Sequence, residues 1–145
     1  MERPELFSIL LAVVFGSAIG LEREIRGKSA GLRTNILICL GAAVFTIIST
    51  KMAAGQADSI TRIAAQIVTG IGFLGAGAII RDRGGIHGLT TAATIWLVAS
   101  IGMACGAGLH ALAAVATFIA IVVLIGLAQL DDYIERYRKK INKTK

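Results

Sequence analysis

Five runs of apolar residues, each free of Asp, Glu, Lys and Arg, divide the chain: Leu6–Leu21, Thr34–Thr50, Ile63–Ile80, Leu89–Ala104 and Leu109–Ala128. Charge is confined to the segments between them and to the two ends of the chain. A bilayer core is crossed by ~20 apolar residues in helical form, with ~17 as a lower limit. The first and fourth runs are short by that measure and need flanking residues to complete a span. None of the runs alternates apolar and polar positions, so strands are not expected. The pattern predicts an all-α, polytopic membrane protein of about five transmembrane helices. The membrane domain is expected over residues 1–130, with a short basic tail over 131–145.

The third run carries an unusual glycine density. Gly70, Gly72, Gly75 and Gly77 fall within eight residues between the bracketing Arg62 and Arg81. Glycine costs ~1 kcal/mol relative to Ala in a helix, so the cluster needs a reason. Gly70, Gly72 and Gly75 match the spacing of a dinucleotide-binding loop, G-x-G-x-x-G. That reading fails on context, because no strand precedes it and no acidic residue follows at the required distance. Close packing against a neighbouring helix, or a locally unwound helix lining a site as in transporters, both remain open. Gln66 and Thr69 are the polar intramembrane side chains of this run, expected on one face. Further GxxxG pairs, Gly16/Gly20 and Gly102/Gly106, offer close contact elsewhere, between protomers or within one.

Composition agrees with the pattern. The 145 residues are 55% hydrophobic and 17% charged, with a formal net charge of +6 and a mean hydropathy of +0.75. The basic balance does not call for nucleic acid. With five spans and the C-terminus in the cytoplasm, twelve of the fifteen Lys and Arg residues fall inside and only Arg3, Lys51 and Arg62 outside. The positive-inside rule therefore sets the N-terminus outside and the C-terminus inside. The opening residues MERPELFS have no basic region and no small-residue cleavage site stands out after the first run, so a cleaved signal peptide is not expected. Cys39 and Cys105 fall at opposite ends of their helices and read as small buried residues rather than a disulfide.

Between the first two runs lies a mixed charge cluster, Glu22, Arg23, Glu24, Arg26, Lys28 and Arg33. Glu22 and Arg26 are spaced as a helical ion pair. Asn35 reads as a boundary or cap residue. The outer loop Lys51–Thr61 carries a single acid, Asp58, which is a poor basis for a magnesium site. The turn Arg81–Gly88 has Gly84–Gly85 for a sharp reversal and His87 as an ordinary loop histidine. Thr90, Thr91 and Thr94 place hydroxyls at the start of the fourth run. The fifth run is uniformly aliphatic and reads as lipid-facing. Beyond it, Tyr133 and Tyr137 are placed as interface anchors, and the basic end for contact with anionic lipid.

GLEREIRGKSAGLRTNILICLGAAVFT (Gly20–Thr46), Arg62–Gly77 and GLTTAATIW (Gly88–Trp96) together resemble the MgtC/SapB family of bacterial membrane proteins. The resemblance covers roughly residues 6–128. It implies a multi-pass inner-membrane protein and gives Arg62–Gly77 as the family's central helix. Two departures are noted: the chain is expected to lack the soluble C-terminal domain of some members, and Thr90 stands where some relatives have Asn. By resemblance, the expected role is adaptation to low Mg²⁺, with virulence and intracellular survival in some members. The family is thought to act by modulating other membrane proteins, including the F-type ATP synthase, rather than by carrying Mg²⁺.

On the residues alone, catalysis is not expected, since there is no nucleophile–base pair and no phosphate loop in a valid context. No cofactor and no metal-ligand cluster is expected either. A transporter or channel is the alternative to a contact-acting regulator, although ion-coupled carriers usually keep ionisable groups inside the membrane and the five runs have no Asp, Glu, Lys or Arg. Expected partners are membrane lipids, other membrane proteins and further copies of the chain in a homodimer or higher oligomer. The expected functional cluster is Glu22, Arg23, Glu24, Arg33, Arg81 and Thr90, converging on the cytoplasmic face where the resemblance blocks meet. The glycines Gly16, Gly20, Gly70, Gly72, Gly75, Gly77, Gly102 and Gly106 are expected at helix contacts.

Overall fold

The computed structural model describes the backbone of residues 3–53, 57–83 and 85–142, and the side chains of 3–53, 62–83 and 85–127. Within these residues the chain forms five helices and one hairpin. The helices are α1 (Arg3–Ile25), α2 (Leu32–Met52), α3 (Ala57–Gly77), α4 (Leu89–Gly106) and α5 (His110–Asn142). Between α3 and α4, β1 (Ile80–Asp82) pairs antiparallel with β2 (Gly85–His87). The hairpin was not expected. It ends α3 at Gly77, short of Arg81, although the apolar run continues to Ile80. Among the described residues, four helices are long and apolar enough to cross a membrane, and α3 carries the further apolar stretch Arg62–Gly77.

Much of the interior is made of small residues, with the larger Ile19, Val98 and Ile101 packed among them. On α2, Asn35, Cys39, Ala42, Ala43, Thr46 and Ser49 are buried, while Leu37, Phe45 and Ile48 face outward. This inversion of the soluble pattern follows from lipid tails being as apolar as leucine. Burying large side chains gains little there, so helices associate by close approach of small ones. The glycine pairs carry it out. A Cβ on Gly16 would stand 2.9 Å from Cys39 Cβ, and one on Gly20 would stand 2.9 Å from Leu32 Cα. From the other side, Gly102 and Gly106 press α4 against α2 at the carbonyls of Cys39 and Ala43. Both pairs therefore make contacts within one protomer.

α2 is thus the element the bundle is built on, clasped by α1 and α4. α3 is peripheral rather than central. Gly75 approaches Ala92 of α4, but a Cβ on Gly70, Gly72 or Gly77 would meet nothing within 4 Å. The close contact expected of these three is not made among the described residues. α5 lies along α1 and α4 through Ala113, Thr117 and Ala120, with its other side exposed. It continues without a break through residues 131–142.

Two helix ends are closed by left-handed glycines. Gly27 (φ 62°) follows α1, where Lys28 N–H donates to Arg23 C=O and Gly27 N–H to Glu24 C=O. Gly108 (φ 77°) follows α4 with the equivalent pair, Leu109 N–H to Ala104 C=O and Gly108 N–H to Cys105 C=O. Both are Schellman closures, which satisfy carbonyls otherwise orphaned at a helix end.

Candidate functional site

The charged end of the bundle is assembled from the last turns of α1, the first turns of α2 and the start of α4. α1 runs to Ile25, so Glu22, Arg23 and Glu24 are helical residues rather than parts of a loop. Glu22 and Arg23 are buried, at 8% and 3% exposure. Arg26 Nε stands 2.5 Å from Glu22 Oε1, and Arg23 Nη1 stands 3.7 Å from Glu22 Oε2. The Arg23 guanidinium reaches across the bundle and donates from Nη2 to Thr91 Oγ1 at 3.2 Å. This bond ties α1 to α4.

Glu24 turns the other way. Gly31, at the start of α2, has no side chain to cap it, and Glu24 Oε2 accepts from Leu32 N–H at 2.9 Å in its place. A carboxylate there also suits the positive end of the helix dipole. Fully buried Asn35 donates from Nδ2 to the carbonyls of Ala30 and Gly31, both at 2.8 Å. The connection from α1 to α2 is therefore held on both sides.

Of the six residues expected to converge, only Glu22 and Arg23 share a buried contact. Glu24 is engaged with α2. Arg33 and Arg81 are exposed, the latter on β1. Thr90 is exposed as well, and its carbonyl accepts from the Thr94 hydroxyl at 2.7 Å. Thr91, one residue on, is the buried partner of Arg23. The spacing of buried positions on α4, Thr91, Thr94, Ile95, Val98, Ile101, Gly102 and Cys105, contains the signal that selects Thr91, because Thr90 falls about 100° away on the helix. Asn35 was similarly under-read; it lies on the same face of α2 as Cys39 and Ala42.

Four buried polar atoms in this region, both Glu22 carboxylate oxygens, Arg23 Nε and Asn35 Oδ1, have no aligned hydrogen-bond partner among the described residues. Glu22 is held by the proximity of two guanidinium groups rather than by aligned hydrogen bonds. Buried ions in such an arrangement couple strongly, and removing one partner leaves an uncompensated charge. Among the described residues, no three His, Cys, Asp or Glu side chains stand close enough to hold a metal ion. His87 lies 3.5 Å from Asp82 across the hairpin.

At the opposite end, Ser8 Oγ and His110 Nε2 are hydrogen-bonded at 2.9 Å, joining α1 to the start of α5. The Phe7 ring meets the His110 imidazole edge-on, with centroids 5.2 Å apart. Lys51 pairs with Glu5 between α2 and α1.

The polar side chains of α3 separate. Gln66 lines an open groove between α2 and α3, which also takes in Gly41, Phe45, Gly70 and Gly77 and has a volume of about 1160 Å³. Thr69 is outside it, with its hydroxyl on the Ala65 carbonyl at 3.0 Å.

Apolar helices packed through small residues, with an ion-paired cluster at one end, define a multi-pass α-helical membrane protein. Residues 9–133 match the model of the MgtC family, and the chain belongs to that family. It is 49% identical over 124 residues to Protein MgtC of Brucella abortus (strain 2308), an alignment covering 86% of this chain and 51% of the relative. It is 48% identical over 133 residues to Protein MgtC of Salmonella typhimurium (strain LT2), covering 92% and 56% respectively. The chain thus spans about half the length of the curated relatives it matches. No solved structure matches it at a significant level.

Proposed function

We propose that this protein is a non-catalytic regulator of the bacterial inner membrane, linked to magnesium homeostasis and adaptation to low Mg²⁺, which acts by contact with other membrane proteins. The observation that carries the reading is the outer face of α3. Ala65, Thr69, Gly72 and Ala76 recur at helical spacing, and all four are exposed. Nothing among the described residues lies within 4 Å of a Cβ placed on Gly72, and the Thr69 hydroxyl is satisfied within the helix. Elsewhere the fold uses small helical faces for close helix packing, against α2 at Gly16/Gly20 and Gly102/Gly106. A smooth face of this kind admits another helix at short distance. Family resemblance makes the F-type ATP synthase the first partner to look for. The positive-inside rule puts the Glu22–Arg23 cluster and the hairpin in the cytoplasm.

The transport alternative is weaker. The five apolar runs contain no Asp, Glu, Lys or Arg of the kind that marks ion pathways, and the buried charges at the end of α1 are engaged with Arg26 and Thr91. Two measurements discriminate. Affinity purification from native membranes should retain a membrane partner with the wild-type protein and lose it with Gly72→Leu, a change that meets no neighbour in the fold. Liposomes containing the purified protein should show no Mg²⁺ flux. Flux abolished by substitutions in Gly70–Gly77 would sink the regulator reading.

A further inference from the structure

We propose that the groove between α2 and α3 is a binding site for one anionic phospholipid, with an acyl chain lying along the groove and the phosphate at its charged end. The inference does not rest on the regulator reading, because it concerns the opposite face of α3.

The walls and the mouth differ in chemistry. Apart from Gln66, the groove is apolar along its length, with Phe45 on α2 and Gly70 on α3 among its lining residues. Gly41, Gly70 and Gly77 all line it, and none would bring a Cβ within 4 Å of another atom. The width of the channel therefore depends on three absent side chains, two on the wall contributed by α3. At one end the lining changes to Ser29 and Thr34 on the α2 side, opposite Gly77 and Ala78 on the α3 side. Hydroxyls are found at that end, where a phosphate or glycerol ester would be.

Four cations lie within five residues of this mouth's lining in sequence. Lys28 and Arg33 are the chain neighbours of Ser29 and Thr34. Arg81 and Arg83 follow Ala78 on the hairpin. All four are exposed, and none has an acidic partner among the described residues. The nearby acids are occupied: Glu22 with Arg26 and Arg23, Glu24 with the Leu32 amide, and Asp82 near His87. The mouth thus has an excess of positive charge over hydroxyl donors, which complements a phosphodiester.

The same charges argue against a second copy in the groove. Two copies related by a two-fold axis along the membrane normal would bring both sets of Lys28, Arg33, Arg81 and Arg83 to the same side of the bilayer, next to one another. Like charges placed so are unfavourable. A lipid with a negative headgroup removes that repulsion and fills the channel.

The test is native mass spectrometry of the full chain purified from nanodiscs of phosphatidylglycerol and phosphatidylcholine in equal amounts. One phosphatidylglycerol should remain bound, in clear excess over phosphatidylcholine. Gly41→Leu and Gly70→Leu, whose Cβ atoms meet nothing within 4 Å among the described residues, extend into the channel and should each abolish retention while the protein stays monodisperse. Arg33→Gln with Arg81→Gln should lower the preference for the anionic lipid by about 25-fold, at roughly fivefold per cation near an anionic surface. Glycerol 3-phosphate or inorganic phosphate in excess should not displace the lipid, which distinguishes a lipid site from a phosphate site. Equal retention of both lipids, retention unchanged by the leucine variants, or displacement by phosphate alone would overturn the proposal. So would a lipid-free dimer that the leucine variants dissociate.

Discussion

Gly102→Ala adds one methyl group at the point where α4 crosses α2. The new Cβ would collide with the Cys39 carbonyl oxygen, and would stand 2.9 Å from the carbonyl carbon and 3.0 Å from Ala42 Cβ. The obstacle is backbone, which has no rotamer to change. Relief requires α4 to move away from α2 by about 1 Å, and dispersion contacts fall off steeply over such a gap. The shift would also loosen the neighbouring approach of Gly106 to Ala43 and Thr46. Overpacking of this kind costs ~1–3 kcal/mol and occasionally more. Alanine recovers ~1 kcal/mol of helix propensity, so a net loss of up to about 2 kcal/mol is expected, or up to roughly 8 °C in melting temperature. Gly70→Ala is the matched control. It makes the same chemical change in a helix but meets nothing within 4 Å, so its melting temperature should stay level or rise. The assay is thermal unfolding of the purified proteins in one detergent, followed by loss of the monodisperse peak. Equal behaviour of the two variants, or a stable Gly102→Ala, would refute the view that α2 is clasped at backbone contact.

Three further outcomes follow from the charged end. Thr91→Val removes the hydroxyl that receives the Arg23 guanidinium and should cost ~1.5–3 kcal/mol in the same assay, whereas Thr90→Val, at an exposed position, should stay within ~0.5 kcal/mol. Arg23→Ala leaves Glu22 buried beside a single remaining guanidinium and should cost ~3–5 kcal/mol, read as a large loss of folded yield. Glu24→Ala frees the Leu32 amide at the start of α2 and should cost ~1 kcal/mol, with hydrogen exchange rising first in the opening turn of α2.

Much of the architecture could be read from where charge is absent, because a bilayer imposes length and polarity on each segment. Five helices stand where five uncharged runs were found. The ends of α3 were harder. Ala78–Ile79–Ile80 continues the apolar run, and apolarity alone does not separate the last turn of a helix from the first residues of a hairpin. The Gly84–Gly85 pair marked the reversal but not the strands on either side. The role of glycine was legible only in part. Gly16, Gly20, Gly70, Gly72, Gly102 and Gly106 look alike in sequence. Which of them touch another helix depends on rotation about each helix axis, and α2, which receives two pairs, has only Gly41 of its own. At the charged end, Glu22 and Arg26 could be paired from their spacing alone. The partner of Arg23 is 68 residues away, and only the periodicity of α4 distinguishes Thr91 from Thr90.

The proposal that the protein works through the outer face of α3 is tested most directly by photo-crosslinking in native membranes. A photoreactive residue at Thr69 should yield a discrete adduct with another membrane protein, and the adduct should disappear when Gly72→Leu is added. The same probe at Val123, on the exposed side of α5, should yield lipid adducts and no discrete protein band. Lipid adducts alone at Thr69, or the same protein band at both positions, would contradict the account.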